Sequence, residues 1–552
     1  MATSNDLSPH LDDVLQIMAL SRSDLAITKE YLPDPDRMSV TRRLMSNPLA
    51  AELWLEDIAR DLSSRDDVAV IGIAAPLLAE DFAAVSKSNT FRPDVDLVAF
   101  FQQLGPMVRD SVTASFPNLL DLIRPDTMLA SPAQEVLLKF GRAIPTLRLL
   151  SIVAGILRHD TIGSLLREEY HPIMEPSYFD TPLGRVSIGS EQDDVYRDPH
   201  LLIIDPGGDD VYVGVAGVSS EVLPVSVTID WHGNDRYEKS VATGRFGLGV
   251  LIDISGDDFY EGENGTQASG IGGVGLLIDQ DGDDIYNAGI GAQGFGLFGV
   301  GVLIDSKGDD LYSCGMLGQG AAGPGGVGLI LDRLGDDIYR AGGQFRDFRE
   351  FGKYAQSMSQ GFSYGLQTEA SGGVGILVDL MGADLYETEY FGQGAAFWAG
   401  LGALYDQRGN DEYVARRYAQ GCGLHLSMGI LVDHSGNDVY SVWGVGQGVG
   451  HDLAVGVLAD NSGDDLFVAT WMAQGVGNGN GTGMLINRAG DDVYRAERED
   501  TQGYGIGSRG FGSIGVLLDL KGEDRFRHSG QRRIVVSGEI GVRYDVADGA
   551  GP

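Results

Sequence analysis

Two histidines and an aspartate recur at almost the same position of successive repeats in this sequence. His425, His451 and Asp452 stand in adjacent repeats, and Trp398 occupies the matching position one repeat earlier. A histidine beside a carboxylate can act as a general acid or base, two imidazoles with a carboxylate can bind a transition metal, and an indole suits stacking on a sugar. The candidate catalytic residues are therefore His425, His451, Asp452 and, one repeat before Trp398, Glu369. The plainer alternative is that these side chains form a solvated, variable rim.

Arginine and aromatic residues mark two further departures from the repeat. An insertion of about 14 residues brings Arg346 and Arg349, and insertions on one face of a repeat protein often line its binding face. Another column contains Arg416 and, one repeat later, Trp443, a combination that suits a sugar or peptide groove. A surface ion pair between Glu389 and Arg416 is the plainer account of that column. The candidate ligand-binding residues are Trp398, Arg416, Trp443, Arg346 and Arg349.

These residues belong to a repeat that extends over most of the chain. An apolar run ending in Asp, followed by a turn like Gly-Asp-Asp and an aromatic residue, recurs at intervals of 26, 26, 27, 47, 27, 27, 27, 27 and 32 residues. We call the residue that ends each run the register position. Its copies are Asp253, Asp279, Asp305, Asp332, Asp379, Asp406, Asp433, Asp460, Asn487 and Asp519, with degenerate earlier copies at Gly189, Asp205 and Asp230.

The period of this repeat predicts a parallel β-helix preceded by a helical domain. Short strands and turns in about 27 residues fit one coil of a β-solenoid, whereas a β-propeller blade needs about 40 to 50 residues. We predict about 12 to 13 coils over residues 181–530, and a C-terminal cap and tail over 531–552. Residues 1–180 are Leu- and Ala-rich and are predicted to form helices that also cap the first coil. The helical spacing is clearest over 8–20, 47–62, 93–104 and 132–157.

Five residues after the register position each repeat has an Asp, which we call the turn Asp. Stacked coils place these carboxylates about 5 Å apart, where unpaired charges repel one another. In one interpretation each turn Asp accepts backbone N–H bonds within its own turn, which would lower its pKa. In the other, Ca²⁺ ions bridge successive turns. The candidate metal ligands are Asp258, Asp284, Asp310, Asp337, Asp384, Asp411, Asp438, Asp465 and Asp492.

The turns resemble part of a known calcium-binding sequence. Gly-Asp-Asp-x-Tyr, with variants such as Gly-Asn-Asp at 436–438, is similar to half of the calcium-binding nonapeptide (RTX) repeat, Gly-Gly-x-Gly-(Asn/Asp)-Asp-x-Leu-x. The resemblance covers about six residues of each coil. The flanking copies that would complete a calcium site between adjacent nonapeptides are missing. The resemblance implies Ca²⁺ as the candidate cofactor.

Glycine and tyrosine form two more columns. Glycine stands four residues before the register position in ten consecutive coils, from Gly249 to Gly515, and strand alternation leads us to expect that it faces away from the core. Such a glycine-paved face permits close approach of a protein partner, a glycan or a second copy of the chain, so a homo-oligomer is one expectation. The residue two positions after the turn Asp is Tyr except at Phe467 and Phe526, which predicts a stacked aromatic ladder in the core or at a corner.

Charge and composition exclude several classes of partner. The 552 residues include 79 acidic and 40 basic side chains, and the formal net charge of −39 repels phosphate backbones, which excludes nucleic-acid binding. No apolar stretch is long enough to span a bilayer, and no phosphate loop or dinucleotide fingerprint indicates a nucleotide cofactor. The chain as written lacks a signal peptide and is predicted to be cytoplasmic; a chain from which such a peptide had been removed would be extracellular.

Two functions stay open from the sequence. The first prediction is a binding or structural solenoid, stabilised by Ca²⁺, that presents its glycine face to a partner or a glycan. The second is a carbohydrate-active β-helix enzyme, a glycoside hydrolase or lyase, that acts on a neutral glycan at Trp398, His425, His451 and Asp452. Many parallel β-helices process polysaccharides, but this is an analogy of fold. A concave pocket that gathers the four side chains would favour the enzyme, and a convex rim would favour binding.

Overall fold

The computed structural model describes a short helical region and a long β-solenoid. It describes residues 11–28, 37–64 and 175–527, with short gaps at 14, 17, 221, 351, 368 and 509–511. It also describes residues 70 and 77, and the backbone alone of 534–536 and 539–547. The helix expected over 47–62 is present as a 3₁₀ turn, Pro48–Ala50, followed by helix α2, Ala51–Ser64. A 3₁₀ turn, Arg22–Leu25, and helix α1, Ser39–Ser46, precede it. The helices predicted over 93–104 and 132–157 lie outside the described residues.

Helix α2 forms where the sequence supplies a start signal and an apolar stripe. Pro48 is favourable in the first turn because proline has no N–H to satisfy there. Leu55, Ala59 and Leu62 follow at helical spacing and are buried. This stripe holds the helix against the solenoid. Within the described part of the chain, no helix is both long and apolar enough to cross a membrane.

Most coils of the solenoid have strands on three sides. The first sheet contains the apolar runs: Ser177–Thr181, Gly184–Ile188, Leu202–Asp205, Val225–Asp230, Leu248–Asp253, Val274–Ile278, Val300–Ile304, Val327–Leu331, Val374–Asp379, Leu401–Asp406, Met428–Asp433, Val455–Asp460, Thr482–Asn487, Ile514–Gly522, Glu539–Ala547 and Ile534–Val536. The second sheet contains the aromatic residues: Val195–Tyr196, Val211–Val213, Arg236–Lys239, Phe259–Gly262, Ile285–Ile290, Leu311–Met316, Ile338–Ala341, Leu385–Gly392, Glu412–Ala419, Val439–Gly446, Leu466–Ala473, Val493–Ala496 and Arg525–Arg527, with Gln356–Ser359 beside it. Two-residue strands form the third side: Gly244–Arg245, Gly270–Ile271 and Gly296–Leu297, then Ser363–Tyr364, Ala396–Phe397, Gly423–Leu424, Gly450–His451, Gly477–Asn478 and Gly505–Ile506.

The strands stack in parallel and in register, so the predicted parallel β-solenoid is confirmed. Val300 pairs with Val327 and Gly301 with Gly328, as the repeat alignment requires. About eleven turns of the ~27-residue period lie between Asp205 and Asp519. Antiparallel hairpins stand at the two ends of the first sheet, where Ser177–Thr181 pairs with Gly184–Ile188 and Ile534–Val536 pairs with Glu539–Ala547.

The glycine column points into the solenoid, so the expectation of a glycine-paved outer face is wrong. A Cβ on Gly301 would overlap the carbonyl oxygens of Phe295 and Ala268, which belong to the corner of the coil. Leu303 and the register Asp305 share this inward direction, and Leu303 packs in the cluster that contains the tyrosine ladder. Strand alternation correctly grouped the residues that share a face of the strand. The face that carries the glycines, however, lies inside the solenoid and not outside. Glycine is needed at this position because the coil is too narrow for a side chain there.

The opposite face of the first sheet is apolar and packs with the helical region. Val302 and Ile304 belong to one buried cluster with Leu25, Leu55 and Leu62. Polar contacts reinforce this junction: Arg488 pairs with the buried Glu52 at 2.7 Å, and the Thr482 hydroxyl donates to the carbonyl of Leu25 at 3.1 Å. Helix α2 lies against the strands Leu401–Asp406, Met428–Asp433 and Val455–Asp460. The described helices therefore cover a flank of the solenoid, and capping of the first coil by residues 1–180 stays a prediction.

Candidate functional site

Tyrosine hydroxyls and register aspartates form pairs inside the solenoid. The Tyr312 hydroxyl donates to Asp332 Oδ2 at 2.7 Å, and both side chains are fully buried. Adjacent rings stack almost parallel, with centroids 4.8 Å apart for Tyr286 and Tyr312, which is the strand spacing. The aromatic ladder is thus core packing. Ten such pairs are Tyr196–Asp205, Tyr212–Asp230, Tyr237–Asp253, Tyr260–Asp279, Tyr286–Asp305, Tyr312–Asp332, Tyr339–Asp379, Tyr386–Asp406, Tyr413–Asp433 and Tyr440–Asp460.

One coil shows that the two members of a pair change together. Where the aromatic position is Phe467, the register position of the following strand is Asn487 rather than Asp. A buried carboxylate without a donor costs several kcal/mol, roughly, whereas an amide is neutral. At this rung the sequence drops the charge together with the hydroxyl, whereas the strand after Phe526 keeps Asp545 at the register position. In the ten rungs from Tyr196 to Tyr440, the hydroxyl is the donor to the buried register carboxylate.

Replacing Tyr312 by Phe is expected to lower the free energy of unfolding by about 1 to 3 kcal/mol, because Asp332 then loses its donor inside the core. The double change Tyr312→Phe with Asp332→Asn recreates the natural Phe467–Asn487 rung and should recover part of that loss. Chemical denaturation of the three variants measures both effects. A double variant less stable than Tyr312→Phe alone would show that the pair is not coupled in this way.

From Asp210 onward, the turn aspartates accept hydrogen bonds from the neighbouring coil and not from their own turn, which was one interpretation of the sequence. The Asp284 N–H donates to Asp310 Oδ1 at 2.6 Å, and the Asp310 N–H donates to Asp337 Oδ1 at 2.7 Å. The same bond recurs from coil to coil, so the column links the turns along the solenoid axis. One carboxylate oxygen of each such turn Asp therefore accepts the backbone N–H of the turn Asp in the preceding coil. The second oxygen of Asp284, of Asp310 and of Asp337 is buried without a hydrogen-bond partner.

Buried turn aspartates have raised pKa values, so the expectation that backbone N–H bonds would lower them is wrong. Burial raises the pKa of Asp310 to about 7, although the N–H of Asp284 acts in the opposite direction. Burial likewise raises the pKa of Asp411 to about 7 and that of Asp492 to about 8. Removing the carboxylate from water raises its pKa by more than one backbone hydrogen bond lowers it.

His425, His451 and Asp452 do come together, at the corner between the third side and the first sheet. Asp452 Oδ2 lies 3.4 Å from His425 Nδ1 and 3.6 Å from His451 Nε2. Asn478, which the sequence did not single out, lies 2.7 Å from His451 Nδ1 through its Nδ2. The Asp452 side chain is 8% exposed and that of His425 is 34% exposed. We call these four residues the histidine corner; a buried carboxylate beside an accessible imidazole can support acid–base chemistry, and the same groups can offer donors to a transition metal.

Trp398 and Glu369 occupy the same edge of the solenoid. Trp398 is half-buried and lies in the strand-to-strand turn one coil before His425. The neighbouring Phe397 ring packs edge-on against the His425 ring, with the ring centroids 5.2 Å apart. Glu369 is exposed in the turn closed by Leu366 and Ala370, one coil earlier again. Trp398, His425 and Asp452 share a left-handed backbone, with φ near 50°. Since Phe298 has the same conformation in another coil, it is a property of the repeat and not of the candidate site.

Most of the predicted ligand-binding arginines fix the insertion to the solenoid. Arg416 pairs with Glu350 of the insertion at 2.7 Å, and both side chains are less than a fifth exposed. Its guanidinium also lies between the rings of Trp443, at 3.8 Å, and Tyr354, at 4.4 Å. The suggested Glu389–Arg416 pair is wrong, because Glu389 instead accepts the N–H of Ala355. These contacts make the insertion a fixed wall on the second sheet.

Arg349 and Arg346 also act within the insertion. Arg346 donates to the carbonyl of Lys353 at 3.0 Å. Arg349 pairs with the buried Asp347 and lies over the rings of Phe391, at 5.1 Å, and Tyr418, at 5.8 Å. Ring contacts continue toward the histidine corner: Phe391 and Phe397 are 6.3 Å apart, and Phe397 contacts His425.

Three departures from the repeat thus meet on one flank. The insertion, the arginine–aromatic column and the histidine corner were separate features of the sequence. In the structure a chain of side-chain contacts connects them, from Arg349 through the buried Phe391 and the half-buried Phe397 to His425. Sequence reasoning missed Asn478 and Glu350, since their roles depend on neighbours in other coils.

Register aspartates are a second set that the sequence did not assign to a site. Groups of three buried carboxylates place ligand atoms within 4.8 Å of one another, among them Asp253, Asp258 and Asp279. Groups of this kind combine one turn Asp with two register aspartates, as in Asp253, Asp258 and Asp279, a combination that could accept a cation. The sequence feature that could have identified these residues is an Asp at the end of an otherwise apolar strand.

The resemblance to nonapeptide repeats stays limited to the turn residues of each coil. Comparison of the chain with protein-family models, with curated proteins and with solved structures finds no match. The chain is a parallel β-solenoid with repeated Asp–Tyr pairs inside its coils.

Proposed function

We propose that this protein is a solenoid that binds a neutral glycan along the flank formed by the insertion and the histidine corner. A β-solenoid repeat fold supports a structural or binding protein. The observation that carries the proposal is the convergence of the three departures from the repeat on this single flank. Repeat positions that serve only packing keep their residue types, as the glycine and turn Asp columns do.

The chemistry of the flank suits a sugar. Trp398 and Phe397 offer apolar rings at the surface, and the histidine corner offers imidazole, amide and carboxylate groups for hydroxyls. The insertion is anchored by the partly buried Arg416–Glu350 pair, so it forms a wall that need not be ordered on binding. A net charge of −39 disfavours anionic glycans, which makes a neutral one the better ligand.

Retention on immobilised neutral polysaccharides tests the proposal. Trp398→Ala and His425→Ala are each expected to weaken binding about tenfold, or ~1.4 kcal/mol, by removing a stacking surface or a hydrogen-bonding ring. His434→Ala is a matched control, because His434 is exposed and contacts Asn461 in the register turn. Equal retention of all variants, or preference for polygalacturonate over neutral glycans, would contradict the proposal.

A carbohydrate-active enzyme is the second candidate, favoured by the buried Asp452 beside His425. This carboxylate can orient the imidazole as a general base or acid. Release of reducing ends from a retained glycan would favour the enzyme, provided that Asp452→Asn stops the release and leaves retention intact. Retention without release would leave the binding function.

A further inference from the structure

The interior of the solenoid holds more carboxylates than its hydrogen bonds account for. Each regular coil brings two aspartates inside, one at the register position and one in the turn, and both are at most 2% exposed in coils such as that of Asp279 and Asp284. Tyrosine hydroxyls satisfy one oxygen of the register Asp, and a backbone N–H satisfies one oxygen of the turn Asp. The second oxygen of some register aspartates accepts a backbone N–H, as Asp305 Oδ1 does from Lys307, whereas Asp279 Oδ1 and Asp284 Oδ2 are buried without a hydrogen-bond partner.

The unpartnered oxygens are the observation that points to a ligand. Oδ2 of Asp284 and Oδ2 of Asp310 are buried without a hydrogen-bond partner. A carboxylate oxygen of Asp284 lies within 4.8 Å of one of Asp279 in its own coil, and an oxygen of Asp310 lies within 4.8 Å of one of Asp305. Asp284 and Asp310 each therefore combine a buried oxygen without a partner with a second carboxylate within 4.8 Å, an arrangement that needs a cation or a shared proton.

We propose that Ca²⁺ binds inside the solenoid between register and turn aspartates, in triads such as Asp279, Asp284 and Asp305. The three ligand atoms of this triad lie within 4.8 Å of one another. One Ca²⁺ can bridge that span, because Ca–O distances are about 2.3 to 2.6 Å. This differs from an ion held between successive turn aspartates, since their mutual contact is already taken by the backbone N–H bond.

The charge balance supports about one Ca²⁺ ion per regular coil, by which we mean a coil with Asp at both the register and the turn position. A register and a turn carboxylate together carry two negative charges, which one Ca²⁺ neutralises. Triads share register residues, so that Asp305 belongs both to the triad with Asp279 and Asp284 and to the triad with Asp310 and Asp332. The site lies away from the histidine corner and does not depend on the proposed glycan binding.

Terbium luminescence of the full chain tests the site directly. Tb³⁺ replaces Ca²⁺ at oxygen ligands and emits when a nearby tyrosine is excited, and the Tyr286 hydroxyl lies 2.6 Å from Asp305 Oδ2. After removal of bound metal with a chelator, Tb³⁺ should give tyrosine-sensitised emission that Ca²⁺ abolishes and equal Mg²⁺ does not. Metal analysis after gel filtration should find about one Ca²⁺ per regular coil.

Matched aspartate variants locate the ions. Asp305→Asn removes a carboxylate shared by two triads and should lower the bound Ca²⁺ by about two ions. Asp309→Asn is the control, because Asp309 is exposed, accepts the N–H of Asp336, and has Asn in its place in other coils, as at Asn437. An equal Ca²⁺ count in the wild type and Asp305→Asn would overturn the proposal. If Asp305→Asn does not fold, the wild type decides: no retained Ca²⁺ and no sensitised emission would mean that the carboxyls share protons only.

Discussion

Acidifying the cation-free protein from about pH 8 to about pH 5 is expected to raise its Tm by about 10 °C or more. Burial raises the folded-state pKa of many interior carboxyls above the unfolded value of about 3.9. The pKa reaches about 7 for Asp310, Asp332 and Asp411 and about 8 for Asp379 and Asp433. The folded state therefore binds more protons than the unfolded state between about pH 4 and about pH 8.

The sign of the effect follows from this difference in bound protons. A carboxyl with a raised folded pKa contributes its full stability below about pH 4, and that stability falls as pH rises toward the folded pKa. Each such group changes the free energy of unfolding by about 1.4 kcal/mol per pH unit within its window. Because several buried carboxyls titrate in this pH range, their contributions add up to the large expected change in Tm.

Thermal melting in excess chelator at several pH values measures this dependence. Asp310→Asn should make the dependence shallower, because it removes one group that titrates in the window. Asp309→Asn should leave it unchanged, since Asp309 is exposed. A Tm that falls on acidification from pH 8 to pH 5 would show that the interior carboxyls are not protonated on folding.

Gly301→Ala is expected to lower the free energy of unfolding by about 3 kcal/mol or more. The new methyl group would overlap two carbonyl oxygens, those of Phe295 and Ala268. Both belong to backbone that is hydrogen-bonded to adjacent coils, for example through the N–H of Gly270 on Phe295, so neither can move alone. The strain would reach beyond a single coil.

Gly343→Ala provides the matched control for this change. Gly343 is in the insertion, and a Cβ there would meet nothing within 4 Å. Its φ of +80° adds only the ordinary cost of a left-handed alanine, about 1 kcal/mol. Urea denaturation compares the two variants. Equal losses would contradict the inward direction of the glycine column.

The sequence by itself determined the repeat and its register. The interval of about 27 residues, the Asp that ends each apolar run and the aromatic residue that follows the turn predicted a parallel β-solenoid with a stacked ladder. These features are local or repeat identically, so each coil adds the same evidence. The pairing of Val300 with Val327 and the stacking of Tyr286 on Tyr312 follow from translation by one coil.

Only the tertiary structure decided which face is inside and which residues meet across coils. Period-2 alternation groups Gly301 with Leu303 and Asp305, but the direction of the group depends on how the coil closes and on the helical region that covers Val302 and Ile304. Arg416 contacts Glu350 across 66 residues, a partner that no spacing within a repeat could indicate. The meeting of His425, His451 and Asp452 was predictable because they occupy the same or adjacent repeat positions. Its connection to the insertion was not, because packing between coils, rather than the order of residues, brings Arg349, Phe391 and Phe397 together.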